Sequence, residues 1–193
     1  MDKYIPSREE AYDLLTKHTK DPGLINHALM VEAAMGHFAE ILGEEDIEKW
    51  KVIGLIHDLD YEKYPDDHCH MTEKMLQEEN WPEDYIRAVL SHGWGICTEV
   101  EPVHRMEKVI YSIDELTGLI YATAIMRPSK SLDDLPVKSV KKKWKDKGFA
   151  AKIDREVIAK GIEMLGMERD EVIKETIEGM KAVASEIGLN TIG

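Results

Sequence analysis

The chain predicts an all-α fold, and three observations carry that expectation. Apolar residues recur at intervals of three and four, the spacing that lines one helix face, over most of the length. Capping residues and prolines punctuate these stretches at ordinary helix lengths. No segment shows the sustained apolar–polar alternation of a half-buried strand.

The elements follow in order. Ser7 and Glu10 have the spacing of a capping box and open a short helix to about His18. Asp21, Pro22 and Gly23 mark a break. The next helix places Leu24, His27, Val31, Met35, Phe38 and Leu42 on one stripe, and Gly43 ends it. Asp46 caps a third helix whose inner face reads Ile47, Trp50, Ile53, Gly54 and His57. From Leu59 to Asp67 the chain is polar and irregular, with Pro65 inside it. A helix covers about His70 to Glu79. Pro82 suits the first turn of another, which runs to His92, and Gly93 and Gly95 open a loop. Pro102 begins a long helix to about Met126, with Val103, Met106, Ile110, Ile113, Asp114, Thr117 and Tyr121 inward. Arg127-Pro128 terminates it. A Lys-rich helix near Val137–Lys147 and two more, about Asp154–Leu165 and Asp170–Ile187, complete the chain. No repeat or low-complexity linker interrupts it. One domain is expected, with a core over about residues 20–130 and a helical extension over about 131–193.

Composition narrows the class. A chain of 193 residues with 43% hydrophobic and 33% charged residues can bury a substantial core. Ten methionines help fill that core where aromatics are few. No apolar run reaches membrane-spanning length, and the opening MDKYIPSREE does not read as a signal peptide. Two cysteines are too few for a disulfide framework. A cytoplasmic protein is expected. The net charge of −13 argues against nucleic acid or an anionic membrane as a partner. It also means that a phosphate-processing site would need local positive charge.

The informative residues are polar ones on apolar faces. His27, His57 and Asp114 each fall on the inward stripe of a different helix, and Asp58 follows His57 directly. A buried carboxylate needs a cation or donors beside it. Imidazoles and carboxylates converging from several helices are a standard way to hold a metal ion. A His-Asp dipeptide alone carries little weight, since about 0.6 are expected by chance at this composition. Order and context carry the argument: a His on one helix, His-Asp ending the next, and an Asp in the middle of a later one.

In that order the chain resembles the HD superfamily of metal-dependent phosphohydrolases, over about residues 24 to 130. The stretch HDLDYEKYP is similar to the family's HDIG-type segment. The resemblance implies an HD-domain helical bundle with a C-terminal helical extension. It also implies metal ligation by His27, His57, Asp58 and Asp114, with His68 and His92 filling the two further slots of members that hold two metals. Asp58 would then bridge the ions and be the central catalytic residue. One or two divalent ions are implied, and such ligands suit Fe, Mn, Co, Ni or Zn. By spacing, the chain is also similar to small bacterial hydrolases that split dinucleoside polyphosphates. Asp60 and Tyr61 depart from the Gly and Lys of many HDIG segments. Some mononuclear nucleotidases carry a catalytic Glu where Tyr61 stands, and Glu62 is its neighbour.

Each residue also has a plainer reading. The quartet could be a satisfied core network, and His92 a simple helix stop. In DDHCH, His70 competes with His68 for the same slot, and Cys69 reads as a packed residue at a loop-to-helix junction. His104 lies ten residues before Asp114, about 15 Å along a straight helix, so the two cannot share an ion. His18 and His37 have no partner legible in the sequence. Between Arg127 and Lys147, eight Lys or Arg face three Asp. Arg127 and Lys130 are the expected substrate-binding cations, and Lys141, Lys142 and Lys143 a solvated face.

The expected function is hydrolysis of a phosphate ester or anhydride, with a small phosphorylated molecule such as a nucleotide as substrate. Two alternatives stand beside it. Relatives with the same six-residue order include di-iron oxygenases acting on C–H bonds. A non-catalytic domain that binds nucleotide or metal and regulates a partner is the other. The C-terminal helices could cap a pocket, form a homodimer interface or complete the core.

Overall fold

Helix ends fall where the chain supplies caps. The computed structural model describes residues 4–192, and among them nine α-helices and one short 3₁₀ helix but no strand. In α1 (Arg8–His18) the Ser7 side chain accepts from Glu10 N–H, and Glu10 accepts from Ser7 N–H in return. In α2 (Pro22–Ile41) Asp21 accepts from Leu24 N–H at 3.0 Å. Asp21-Pro22 is therefore the helix start itself rather than a break before it. Asp46 caps α3 (Ile47–Ile56) in the same way. A 3₁₀ turn (Pro65–Asp67) leads to α4 (His70–Glu78), and α5 (Glu83–Ser91) follows. Pro82 precedes α5 as its cap rather than lying inside the first turn.

The long α6 (Arg105–Ile125) begins three residues later than Pro102 suggested. The imidazole of His104 accepts from Met106 N–H, while Glu107 accepts from Val103 and His104 N–H. Val103, expected inward, is 67% exposed in the lead-in. α7 (Val137–Lys145), α8 (Arg155–Leu165) and α9 (Arg169–Lys181) complete the chain. α9 stops short of Ile187, and the chain turns over Ala182–Gly188 instead.

Two helices form the centre. α2 packs against α3, α6 and α9, and α6 packs against α7, α8 and α9 as well. α2 is buried nearly all round between Ala28 and Ala39, wider than the single stripe read from the sequence. A helix surrounded on most sides needs apolar residues on most sides. The one charged residue in this stretch, Glu32, is 3% exposed and accepts from Arg8 Nε and Nη2 at 2.5 and 3.0 Å. That pair ties α1 to α2. His37 finds its partner on α9, where Glu175 lies at 2.8 Å. α8 and α9 supply Ile158, Ile162, Val172, Ile173 and Ile177 to the same core cluster as α2 and α6, so they complete the core. No helix among the described residues is long and apolar enough to cross a membrane.

One close approach positions the site. A Cβ on Gly54 of α3 would lie 2.9 Å from the Val31 carbonyl oxygen and 3.0 Å from Glu32 backbone atoms of α2. Only glycine lets the two backbones meet here, three residues before His57. Gly54→Ala is therefore expected to destabilise the fold by about 1–3 kcal/mol, the usual cost of overpacking a dense core. A lowered urea midpoint at unchanged slope would register it, because the clashing atoms are backbone and cannot rotate away.

Candidate metal centre

Five segments converge at one end of the bundle. His27 comes from the second turn of α2, and His57 is the residue that ends α3. Asp58 follows in the turn. His68 lies just after the 3₁₀ turn, His92 ends α5, and Asp114 sits in the middle of α6.

The side chains form two groups sharing one carboxylate. On the first side, Asp114 Oδ1 lies 2.9 Å from His27 Nε2 and 3.3 Å from His57 Nε2. Asp58 Oδ2 faces the same nitrogens at 3.6 and 3.4 Å. On the second side, Asp58 Oδ1 is 3.4 Å from His68 Nε2 and 3.4 Å from His92 Nε2. The structure thus brings together all six residues expected from the sequence, with the oxygens of Asp58 divided between the pairs. It sends His68 inward and leaves His70 at the surface beside Asp67.

The ring orientations are held from behind. His57 Nδ1 donates to the Gly54 carbonyl at 2.7 Å, and His92 Nδ1 donates to the Val89 carbonyl. A carbonyl can only accept, so the proton is on Nδ1 and the neutral ring presents the Nε2 lone pair to the site. His68 Nδ1 is held by Asp60 at 2.7 Å. Asp60 is fully buried and also accepts from Thr72 N–H at 2.8 Å. The sequence marked Asp60 only as a departure from the family pattern. Its role depends on a helix start twelve residues away and is not visible in the local motif.

This arrangement requires cations. His27 and His57 Nε2 atoms are 3.2 Å apart, as are those of His68 and His92. Lone pairs at that distance, facing carboxylates, repel unless protons or metal ions lie between them. In the metal-free protein protons take that role. Burial opposes charge on His57, but Asp58 and Asp114 outweigh it and hold its pKa well above the usual 6.5. Burial likewise opposes charge on Asp58 and Asp114, and the neighbouring imidazoles reverse it, holding both carboxyls well below the usual range. His68 is raised because Asp60 and Asp58 outweigh its burial. Imidazole and carboxylate donors converging on two points fit divalent transition-metal ions.

A cavity of about 390 Å³ opens over this cluster. Asp58, His27, His68, His92 and Asp114 form its polar floor, and Leu24, Tyr61, Ile96, Gly118 and Val157 are among its other walls. Glu115 also lines it, and burial and then the Asp114 charge push its carboxyl up to about 7. Sequence reasoning missed Glu115; its only signal was adjacency to Asp114. Glu62 turns away and accepts from the N–H groups of Lys20 and Asp21, pinning the start of α2 to the turn after Asp58.

Two further expectations change. Cys69 is fully buried, and it is also bonded to Cys97 across the loop that follows His92. Its sulfur lies within 4.8 Å of ligand atoms of His68 and His92, but the bond to Cys97 engages it. A side chain at Gly93 would overlap both sulfurs, which explains that glycine. Arg127 and Lys130 do not reach the cavity. Arg127 lies thirteen residues beyond Asp114, about 20 Å along the helix. It donates instead to the Asp134 carboxylate and carbonyl. Lys130 belongs to a turn whose carbonyl accepts from Asn190 N–H.

A family model described as HD domain matches residues 24–119, a span that holds all six clustered residues. Comparison with curated proteins and with solved structures gives no match.

Two outcomes follow. Asp60→Ala leaves His68 unoriented, so Mn²⁺ affinity on the His68–His92 side should fall about 10–100-fold in calorimetry. The second concerns pH. His57 has a folded pKa above its unfolded one, so its protonation stabilises the metal-free fold fully below pH 6.5. That stability is lost as pH rises through the raised value. Metal replaces the proton, so the Tm gap between metal-loaded and metal-free protein should widen as pH climbs above 6.5.

Proposed function

The chain belongs to the HD-domain family, and we propose that it is a phosphohydrolase using two divalent transition-metal ions. The observation that carries this reading is the position of Asp58. One carboxylate oxygen faces His27 and His57 while the other faces His68 and His92. A carboxylate divided in this way suits a bridge between two ions. His27, His57 and Asp114 would complete one side, and His68 and His92 the other.

A bound pair of this kind supplies an activated water at neutral pH and neutralises charge on phosphoryl oxygens. The chain's own residues do the rest. Gly54, Val89 and Asp60 hold three imidazoles with Nε2 directed inward, so the donor set is assembled before substrate arrives. Asp114 and Asp58 keep the floor anionic, which favours divalent over monovalent ions. Leu24 and Val157 line the cavity with apolar surface, lowering the local dielectric around the reacting groups. Among the described residues Glu115 is the remaining acidic group lining the cavity, and it would exchange a proton with a leaving oxygen. The substrate class is a phosphate ester or anhydride of a nucleotide or related small molecule.

One observation favours a second reading. The basic segment that argued for phosphate lies away from the cavity, and among the described residues no Lys or Arg lines the walls. A di-iron oxygenase acting on a small C–H substrate would suit such walls. Oxygen uptake by the iron form with a polyol or phosphonate, and no phosphate release with Mn²⁺, would replace the hydrolase with it.

The hydrolase reading predicts Mn²⁺-dependent release of inorganic phosphate from small esters. His57→Ala and Asp58→Ala should each reduce it by more than about 100-fold, beyond the effect of losing an outer hydrogen-bond partner. Both variants should also lose bound metal by elemental mass spectrometry. Activity near that of the unaltered protein in both would exclude this site.

A further inference from the structure

The cavity walls carry information about the substrate. We infer that the substrate is a phosphate monoester of a small apolar or aromatic alcohol, rather than a nucleoside polyphosphate. This rests on the hydrolase reading above and narrows it.

Charge is the first argument. Among the described residues no Lys or Arg lines the cavity, and the charged wall residue beyond the metal-facing set is the acid Glu115. Several cations that follow Asp114 in the chain are engaged with other groups. Lys160 lies one turn beyond Val157 on α8, but its ammonium sits 3.5 Å from the ring centre of Trp94. Lys141 pairs with Asp170, Lys143 rests over Phe149, and Arg127 is tied to Asp134. One phosphate monoester carries about −1.5 to −2. A triphosphate brings roughly twice that charge. Its additional phosphates would enter a cavity with an acid on the wall and no Lys or Arg to receive them.

Shape and polarity are the second argument. Tyr61 and Ile96 stand at the cavity, 45% and 63% exposed. Large apolar side chains left open beside a polar floor are informative, because scattered exposure needs no account but placement around one cavity does. Both are held in place. The Tyr61 ring meets the His68 ring edge-on with centroids 5.3 Å apart. Ile96 sits on a tight loop in which the Gly93 carbonyl accepts from Ile96, Cys97 and Thr98 N–H, and the Cys69–Cys97 bond anchors that loop to α4. With Leu24 and Val157, they provide an apolar wall for the group that leaves with the ester oxygen. The volume of about 390 Å³ lies at the small end of the range for ligand sites.

The experiment compares phenyl phosphate, glycerol 3-phosphate and ATP with the Mn²⁺-loaded protein. The expected order of kcat/KM places phenyl phosphate first, at least about tenfold above each of the others. Tyr61→Ala and Ile96→Ser should each raise KM for phenyl phosphate about tenfold. Calorimetric affinity for inorganic phosphate, which would meet only the floor, should move by less than about twofold in the same variants. ATP as the preferred substrate would overturn the inference and leave the hydrolase reading standing. Equal losses for phenyl phosphate and inorganic phosphate would also overturn it, since they would mark Tyr61 and Ile96 as supports of the metal floor. Release of phosphate from none of the three by fully metal-loaded protein would remove both readings together.

Discussion

The structure depends on one electrostatic problem: four imidazole nitrogens and two carboxylates gathered within a few ångströms of Asp58. While the rings are neutral, His27 Nε2 can donate to Asp114 at 2.9 Å, but His57 and His92, whose protons are on Nδ1, present only lone pairs to the carboxylates. Burial makes the conflict worse, because His57 is fully buried and lacks water to soften the repulsion. Protons can satisfy the cluster, and divalent ions can satisfy it more completely. The raised pKa of His57 and the lowered carboxyl pKa values of Asp58 and Asp114 are the metal-free expression of the same demand.

A cluster so costly to assemble needs a rigid frame, and the most buried helices provide it. α2, α3 and α6 carry His27, His57 and Asp114, and Gly54 allows α2 and α3 to approach backbone to backbone. The same residue supplies the carbonyl that fixes the His57 ring. One glycine thus sets both the helix spacing and the direction of a site nitrogen. The second side of the cluster is built differently. His68 and His92 come from a turn and a helix end, and they rely on Asp60, the Val89 carbonyl and the Cys69–Cys97 bond for their positions.

The walls above the cluster then restrict what can reach it. Most of the chain's positive charge lies elsewhere, and the Lys-rich α7 faces Asp170 and solvent rather than the cavity. The resulting site combines a cationic floor, once metal is bound, with apolar and acidic walls. On the proposed reading, such a combination would select a compact anion attached to an uncharged group, because only the anion would have a favourable partner at the floor.

Helix positions, their caps and the inward residues His27, His57 and Asp114 were legible because periodicity and capping are local properties of the chain. The start of α6 was misplaced because Pro102 is a familiar opening signal, whereas a His104–Glu107 capping box is an unusual one. The six site residues were legible as an order, through resemblance as much as through pattern. The choice between His68 and His70 was not, since both lie within one short segment and only the turn geometry points one of them inward. Asp60, Glu115 and the Cys69–Cys97 bond went unseen because each acts on residues brought near by folding. Arg127 and Lys130 lie away from the cavity for the same reason, since proximity along a helix is not proximity in space. The sequence by itself determined an all-helical chain with an ordered set of imidazoles and carboxylates, because those features repeat at helical intervals. Only the tertiary structure decided how they divide around Asp58 and which residues wall the cavity, because both depend on contacts between residues far apart in the chain.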